Sequence, residues 1–495
     1  MSFQSLLAFD LGSSFVDGLS CWAIFILLLV LVVSSALSGL GYPVLGRLSA
    51  WLCIFSLSCI LVVLLNEASG IRSIYQGLIR NDIFCLGARC ITIVSAAFVM
   101  FCSLDYIRRD RINSTELTGL MLLSVLSALI LIGSNDLLTV YLAVEMQSLC
   151  FYVLATFQRS SNFSTESGLK YFVLGAVSSG LLLFGCSLVY GFSGSTNFDD
   201  IHRLLLHVDA SSAAGGLILG MFFLLVAFMF KLAVVPFHIW VVDVYEGSPT
   251  PVTAFFSIVP KLPLLCVCFK LCCYVFLQFN ICWRPVFVVC CILSLVVGCL
   301  GAFYQRKIKR LMAFSAVVHA GFLVLAIASF AHDSLPALLL YLVIYIWMAL
   351  VFFGVLLAFR FVATSGRLIY LTELMGLSRV NPLLAVTLVI CMFSMAGVPP
   401  LAGFFSKMSV FTVAINARYH LTAAAALLIS ALAAVYYVRL IKIMYFDEPR
   451  GLLWLVPVDK SSGWVLVIFT AFVVLFAAFP DYLLVWIDFV CFGAF

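Results

Sequence analysis

The sequence predicts an all-α polytopic membrane protein of about fourteen transmembrane helices, with two inverted five-helix repeats that contain broken helices. Three observations predict this class. Of the 495 residues, 65% are hydrophobic and only 10% are charged, which excludes a soluble globular domain. Apolar stretches of about twenty residues, the length that crosses a bilayer core, recur along almost the whole chain. The Lys and Arg residues are also shared very unequally between the two sets of loops.

The predicted spans, numbered one to fourteen, follow the bounds of the apolar stretches. They are 20–41, 48–66, 84–105, 116–133, 136–157, 168–192, 213–240, 251–277, 285–304, 311–331, 335–360, 382–416, 420–446 and 463–488. The longest loops run to about twenty residues, which is too short for a catalytic domain outside the membrane. The eighteen Cys residues lie mostly within spans and form no paired CxxC arrangement, so we interpret them as small packing residues rather than a metal or cluster site.

Spans four to eight and spans nine to thirteen form two blocks of similar length. Each block ends its fourth helix with a proline break near a lysine. A repeat with an odd number of spans is inverted in its second copy, as in many transporters. We therefore predict an N-terminal three-helix segment (1–114), a first repeat (115–280), a second, inverted repeat (281–446) and a C-terminal loop with helix fourteen (447–495).

The loops after odd-numbered spans carry sixteen Lys and Arg residues, whereas the other loops carry five. We call these two sides of the protein the odd face and the even face. The positive-inside rule predicts that the odd face lies on the cytoplasm-like side, which is the matrix in a mitochondrion, with both termini opposite. The first seventeen residues contain Asp10 and Asp17 but no Lys or Arg, so they resemble neither a signal peptide nor a transit peptide.

Four ionisable side chains lie deep inside apolar stretches, namely Glu145, Lys231, Lys261 and Lys407. A charge at the centre of a bilayer costs about 2.5 to 3.5 kcal/mol on insertion scales, so such residues usually have a function. A coupled Glu and Lys can exchange protons near neutral pH, which is the requirement for a relay. The four residues therefore predict proton or ion translocation.

Prolines that break the helix lie near all three of these lysines. They are Pro236, Pro260, Pro263, Pro399 and Pro400. Pro236 leaves the carbonyl of Leu232 without a donor, one residue from Lys231. The proline pair likewise frees the carbonyls of Met395 and Ala396, which precede Lys407. We expect each lysine to lie in irregular backbone that is packed against protein or water.

Other polar residues have two interpretations. His238 and His319 could extend a proton relay, or they could be core histidines bonded to backbone carbonyls. Lys270 lies near a helix end, where its ammonium can snorkel to the headgroups. Asp243 and Glu246 are predicted to lie in a solvated loop.

Five segments carry a resemblance to a known family. They are YLAVEMQSLCFYVLA (141–155), STESGLKYFVLGAVSSGLLLFGCSLVYG (164–191), FKLAVVPFHIWVVDVYEGSPTPVTAFFS (230–257), KIKRLMAFSAVVHAGF (307–322) and GVPPLAGFFSK (397–407). The chain closely resembles the subunit 2 family of the proton-pumping NADH:ubiquinone oxidoreductase, respiratory complex I, over most of residues 115–446. The resemblance implies an antiporter-like membrane subunit of fourteen helices.

The resemblance also implies roles for individual residues. Glu145 and Lys231 would form the half-channel pair, Lys261 the central relay and Lys407 the exit-side lysine. Lys170 would be a further partner of the Glu145 and Lys231 pair. The resemblance implies no cofactor in this chain, with FMN, iron–sulfur clusters and ubiquinone held by other subunits.

The expected neighbours are subunit 4 and subunit 4L of the membrane arm, together with lipids and without nucleic acid. The many Phe and Cys residues and the uncharged start favour the mitochondrial inner membrane, with both termini on the intermembrane-space side. Two alternatives stay open at this point. One is a subunit of a multi-subunit cation/proton antiporter, and the other is a structural scaffold whose charges only lock helices together.

Overall fold

The computed structural model describes residues 42–66, 72–110, 115–207, 212–331, 333–360, 368–448 and 456–492, together with positions 23 and 26. The helices, numbered along the described chain, are α1 Tyr42–Asn66, α2 Ile83–Arg109, α3 Thr115–Gly133, α4 Leu137–Ala155, α5 Asn162–Ser193, α6 Phe198–His207, α7 Ser212–Leu232, α8 Ile239–Gly247, α9 Thr250–Ile258, α10 Lys261–Lys270, α11 Asn280–Phe303, α12 Ile308–Ser329, α13 Ser334–Ala358, α14 Leu377–Val380, α15 Pro382–Ala396, α16 Ala402–Asn416, α17 His420–Tyr445, α18 Lys460–Leu475 and α19 Pro480–Phe492. Short π- and 3₁₀-helical turns occupy Leu271–Val275, Leu277–Phe279 and Leu371–Leu374. Strands β1 Arg72–Ile74 and β2 Ile79–Asn81 form an antiparallel hairpin between α1 and α2.

The all-helical membrane architecture predicted from the sequence is confirmed. Within the described residues, eleven helical stretches are long and apolar enough to cross a membrane, or twelve if the bent pair α18 and α19 counts as one. The predicted span 382–416 adds the pair α15 and α16, which is broken at Pro399 and Pro400. Apart from positions 23 and 26, the predicted first span, 20–41, lies outside the described residues.

The predicted span 463–488 is wrong as a single straight helix. Helices α18 and α19 meet at an angle of 94°. Pro480 has no backbone N–H and disfavours the helical conformation of the residue before it, so a straight helix cannot continue through Phe479. Helix α19 instead turns aside and packs on α2 and α13, where Ile487 and Val490 are buried.

Residues at the ends of even-numbered predicted spans, and in the loops after them, contact one another. The carboxylate of Asp199 accepts hydrogen bonds from the Tyr274 hydroxyl at 2.7 Å and from the Asn135 amide at 2.9 Å. The Arg80 guanidinium lies 3.5 Å from the same carboxylate. Burial would raise the pKa of Asp199, but these hydrogen bonds and the positive charge outweigh it and lower the pKa below its ordinary value.

Loops that follow odd-numbered predicted spans meet on the opposite side. Glu246, after span seven, pairs with Lys307, after span nine. Arg360, after span eleven, pairs with Asp110, after span three. The alternation of the spans between two faces therefore follows the division predicted from the charges.

Burial separates an inner group of helices from an outer group. Residues Thr250–Val275 are fully enclosed by protein in their most apolar stretch, and α12 and α13 are nearly so at 94%. Helix α5 is only 33% enclosed and presents most of its surface outward. The inner group carries Lys261 on α10 and His319 on α12, so these two side chains lie in the interior of the protein.

Candidate proton-relay site

Glu145 lies on α4, and Lys231 lies in the last turn of α7. The Glu145 carboxylate lies close enough to interact electrostatically with the ammonium, and the Ser148 hydroxyl, which donates to the Glu145 backbone carbonyl at 3.0 Å, lies 3.4 Å from this carboxylate. The Lys231 Nζ is buried and makes no hydrogen bond, and it lies 5.8 Å from the centre of the Tyr152 ring. The Glu145 carboxylate therefore compensates the charge of the Lys231 ammonium from a distance, without a direct salt bridge.

The helix break predicted after Lys231 is present. Helix α7 ends at Leu232, Ala233 has a φ of +61°, and α8 begins at Ile239. The indole of Trp240 donates to the carbonyl of Phe230 at 2.9 Å, which fastens α8 to the end of α7. The Lys231 ammonium does not donate to the neighbouring Leu232 carbonyl, because its Nζ makes no hydrogen bond.

A small cavity joins Lys231 to Lys261. It has a volume of about 30 Å³ and is lined by both lysines. Gln147 and Ser148 of α4 and Trp240 of α8 contribute polar atoms to its wall. A cavity needs about 10 to 15 Å³ to hold a water, so this one has room for about two or three.

Lys261 begins α10 directly after the break at Pro260 and is 7% exposed. Its Nζ donates to the Tyr345 hydroxyl of α13 at 2.7 Å and lies 4.1 Å from the centre of the same ring. The tyrosine therefore stabilises the ammonium both by a hydrogen bond and by its π face.

His319 lies at the centre of α12 and is 2% exposed. Its Nδ1 is 2.7 Å from the Tyr341 hydroxyl, and its Nε2 is 3.4 Å from the Tyr437 hydroxyl. Its ring centre is 5.1 Å from that of Tyr345, and the ring lies close enough to Lys261 and Lys407 to interact with them electrostatically. Tyrosine hydroxyls, rather than the backbone carbonyl of the alternative interpretation, are therefore its partners.

Lys407 on α16 is 7% exposed and reaches back across the second break. Its Nζ donates to the carbonyls of Met395 at 3.0 Å and Ala396 at 2.7 Å. These are the two carbonyls that the proline pair was predicted to free. The ammonium also lies 5.6 Å from the centre of the Phe322 ring, one turn from His319 on α12.

Comparison with known proteins shows the family to which the chain belongs. Residues 134–433 match the family model described as NADH:quinone oxidoreductase/Mrp antiporter, TM. The chain belongs to this family. The NADH-ubiquinone oxidoreductase chain 2 of Marchantia polymorpha is 40% identical over 463 residues, which cover 93% of this chain and 94% of that relative. The resemblance predicted from the sequence is thereby confirmed.

Two solved structures contain chains whose fold is similar to that of this chain. A chain of respiratory complex I from Thermus thermophilus has a TM-score of 0.77 and 27% identity, and covers 93% of this chain and 98% of its own length. A chain of the Mrp complex from a Dietzia species has a TM-score of 0.81, covering 96% and 97%. Its identity is only 19%, so that likeness concerns the fold alone.

Two further residues predicted for the site lie at its margin. Lys170 is 45% exposed and pairs with Glu166 at 2.8 Å and Asp243 at 3.0 Å, rather than with Glu145. His238 is partly buried directly before α8, and its Nδ1 makes no hydrogen bond. Their part in the relay stays a prediction.

The solvated loop predicted for Asp243 and Glu246 is wrong. Both lie on α8, and Glu246, which is mostly buried, pairs with Lys307 and Arg310 at the start of α12. The spacing of three residues places both carboxylates on one face of a helix, opposite a basic run. This spacing, together with the basic run, was the signal in the sequence from which the ion pairs could have been predicted. The ion pairs fasten α8, which follows the break beside Lys231, to α12, which carries His319.

Snorkelling of Lys270 is also wrong. Its side chain is 5% exposed, and its Nζ donates to the carbonyl of Ile132 at 2.7 Å and lies 3.4 Å from the Cys85 sulfur. Helix α10 lies in the fully enclosed group, so the side chain is surrounded by protein. Among the described residues, no group of three or more His, Cys, Asp or Glu side chains is arranged to hold a metal ion.

Proposed function

We propose that the chain is a proton-translocating membrane-arm subunit of NADH:quinone oxidoreductase, with a relay through Glu145, Lys231, Lys261, His319 and Lys407. One observation carries this proposal. The buried groups form a row from the first helix break to the second, joined by a cavity and by the tyrosines around His319. Neighbouring groups that exchange protons are what a relay requires.

In this relay, a change in the charge of the Glu145 and Lys231 pair starts each transfer. A proton that leaves the Lys231 ammonium reaches the neutral amine of Lys261, and a proton then passes by way of His319 to Lys407. Each donor loses one N–H bond as the next acceptor gains one. The gap between Glu145 and Lys231 supports this step, because a tight salt bridge would hold both charges in place.

The relatives support a proposal for the context of the relay. The chain spans nearly the whole length of a relative named as chain 2 of NADH-ubiquinone oxidoreductase. We propose subunits 4 and 4L as neighbours, with FMN, iron–sulfur clusters and ubiquinone held elsewhere in the complex. We also propose the mitochondrial inner membrane, with the odd face toward the matrix and both termini toward the intermembrane space, on the evidence of the Lys and Arg distribution.

The second candidate is a subunit of a cation/proton antiporter. The likeness of the fold to a chain of the Mrp complex favours it, although the identity is 19% against 40% for the chain 2 relative. Purification of the native assembly distinguishes the two. Flavin and iron–sulfur clusters that co-purify with the chain support the oxidoreductase, and their absence supports the antiporter.

The relay is tested by Lys231→Ala in the assembled complex. We expect proton pumping coupled to NADH oxidation to fall about 100-fold, the usual contribution of a positioned proton-transfer group. Arg203→Ala is the control, since Arg203 is exposed on α6 at the even face. Pumping that survives Lys231→Ala in an assembled, electron-transferring complex would refute the relay.

A further inference from the structure

Gln147 lies beside two lysines of the proposed relay. It follows Glu145 by two residues on α4, is 3% exposed and lines the cavity between Lys231 and Lys261. Its amide nitrogen makes no hydrogen bond in the structure. A buried amide donor without a partner is unfavourable, and such groups commonly bind an ordered water.

A second buried donor opens into the same cavity. The Lys231 Nζ makes no hydrogen bond either, and it lines the same 30 Å³ space. Two other polar side chains of the wall, Trp240 and Ser148, have partners. The Trp240 indole donates to Phe230, and the Ser148 hydroxyl donates to the Glu145 carbonyl at 3.0 Å, which leaves the serine oxygen free to accept.

We infer that Gln147 binds a water that bridges Lys231 to Lys261, and that it is a positioning residue for proton transfer between them. This inference rests on the proposed function. The water oxygen accepts from the Gln147 amide and the Lys231 ammonium, so its two hydrogens are directed toward Lys261 and Ser148. A water with four such partners is fixed in position and orientation.

The transfer balances in protons. One N–H bond of the Lys231 ammonium breaks as an O–H bond forms on the water. The O–H bond directed at Lys261 breaks as an N–H bond forms on its neutral amine. The water and the Gln147 amide end unchanged, and one proton has moved. An amide suits this task because it donates to the water but cannot ionise and retain the proton.

The test uses Gln147→Met in the whole complex, since methionine has a similar length but no donor. We expect coupled proton pumping to fall about tenfold, the usual effect of one lost hydrogen bond, together with a larger solvent deuterium isotope effect. Gln147→Asn keeps an amide and should retain at least about a third of the pumping, since the space it leaves admits a second water. A merely structural role would not produce this rescue.

The matched control is Gln158→Met, which changes the same side chain at the odd face, away from both lysines. Pumping by Gln147→Met within about twofold of the unaltered complex would overturn the inference, since the lost hydrogen bond predicts about tenfold. Lys261→Ala separates the two proposals. If it abolishes pumping while Gln147→Met does not, only the water site fails, and if it leaves pumping intact, the relay itself fails.

A map of the unaltered complex that resolves waters tests the site without a variant. We expect density for a water within hydrogen-bond distance of the Gln147 amide nitrogen and the Lys231 Nζ. Well-resolved side chains with no density between them would overturn the inference, whether or not the variants assemble.

Discussion

The two helix breaks resemble each other in sequence but hold their lysines differently. At the second break, the Lys407 ammonium donates to two carbonyls freed by the proline pair. At the first, the Lys231 ammonium makes no hydrogen bond and faces a cavity and a carboxylate. One break therefore fixes its lysine, and the other leaves it able to exchange partners.

The order of lysine and proline explains this difference. Side chains on a helix point toward its N-terminus. Lys407 follows its break, so its side chain points back to the carbonyls at the end of α15. Lys231 precedes its break, so its side chain points away from the Leu232 carbonyl, toward the level of Glu145. A carbonyl freed by a proline can therefore accept a hydrogen bond from a lysine that follows the break, but not from one that precedes it.

The largest effect is expected from replacing each lysine by methionine. Pumping should fall about 100-fold in both variants, since both remove a proton carrier. Only Lys407→Met also leaves buried carbonyls without a donor, which should cost about 1 to 3 kcal/mol of stability. Thermal unfolding of the purified complex measures the difference. Equal loss of stability in the two variants would break the comparison.

A smaller effect is expected at the ion pairs that fasten the first break to α12. Glu246→Gln should lower coupled pumping about tenfold, because it removes the carboxylate that pairs with both Lys307 and Arg310, leaves only the Asp243 pair to Arg310 between α8 and α12, and so lets α8 move. Glu166→Gln is the control, since this carboxylate is exposed and surface pairs contribute little. Equal pumping rates in these two variants would argue against a fixed α8.

The central lysine allows a finer comparison. Tyr345→Phe removes the hydroxyl that accepts from Lys261 but keeps the ring beneath the ammonium. We expect a fall of about three- to tenfold in the pumping rate, with assembly unchanged. Tyr304→Phe, at an exposed side chain, should have no effect. A rate unaffected by Tyr345→Phe would mean that the ring alone holds Lys261.

The smallest effect concerns the even face, outside the membrane-spanning segments. The pKa of Asp199 is lowered in the folded protein, so its contribution to stability is present above the ordinary carboxyl pKa of about 3.9 and is lost as the pH falls through the lower folded value. Asp199→Asn should therefore speed hydrogen exchange of the loop at neutral pH. The difference from the unaltered protein should vanish in strong acid, and a difference that persists there would contradict the carboxylate's role.

Much of the site could be predicted because the signals are local. A charge within an apolar stretch and a proline near it are visible in the sequence, and they correctly indicated Lys261 and Lys407 as buried. The division into odd and even faces likewise follows from the order of the spans. Glu246 was missed because a short helix between two breaks has too few residues to show a helical period.

The sequence by itself determined that the chain crosses a membrane many times, that Lys261 and Lys407 carry buried charge and where the helices near them break. Apolar length and missing backbone donors act over a few residues, so they can be predicted from the chain. Tertiary structure decided the partners. Lys261 meets Tyr345 across 84 residues of sequence, and His319 meets Tyr437 across 118. Such contacts, and the cavity beside Gln147, depend on how distant helices pack, which no local pattern specifies.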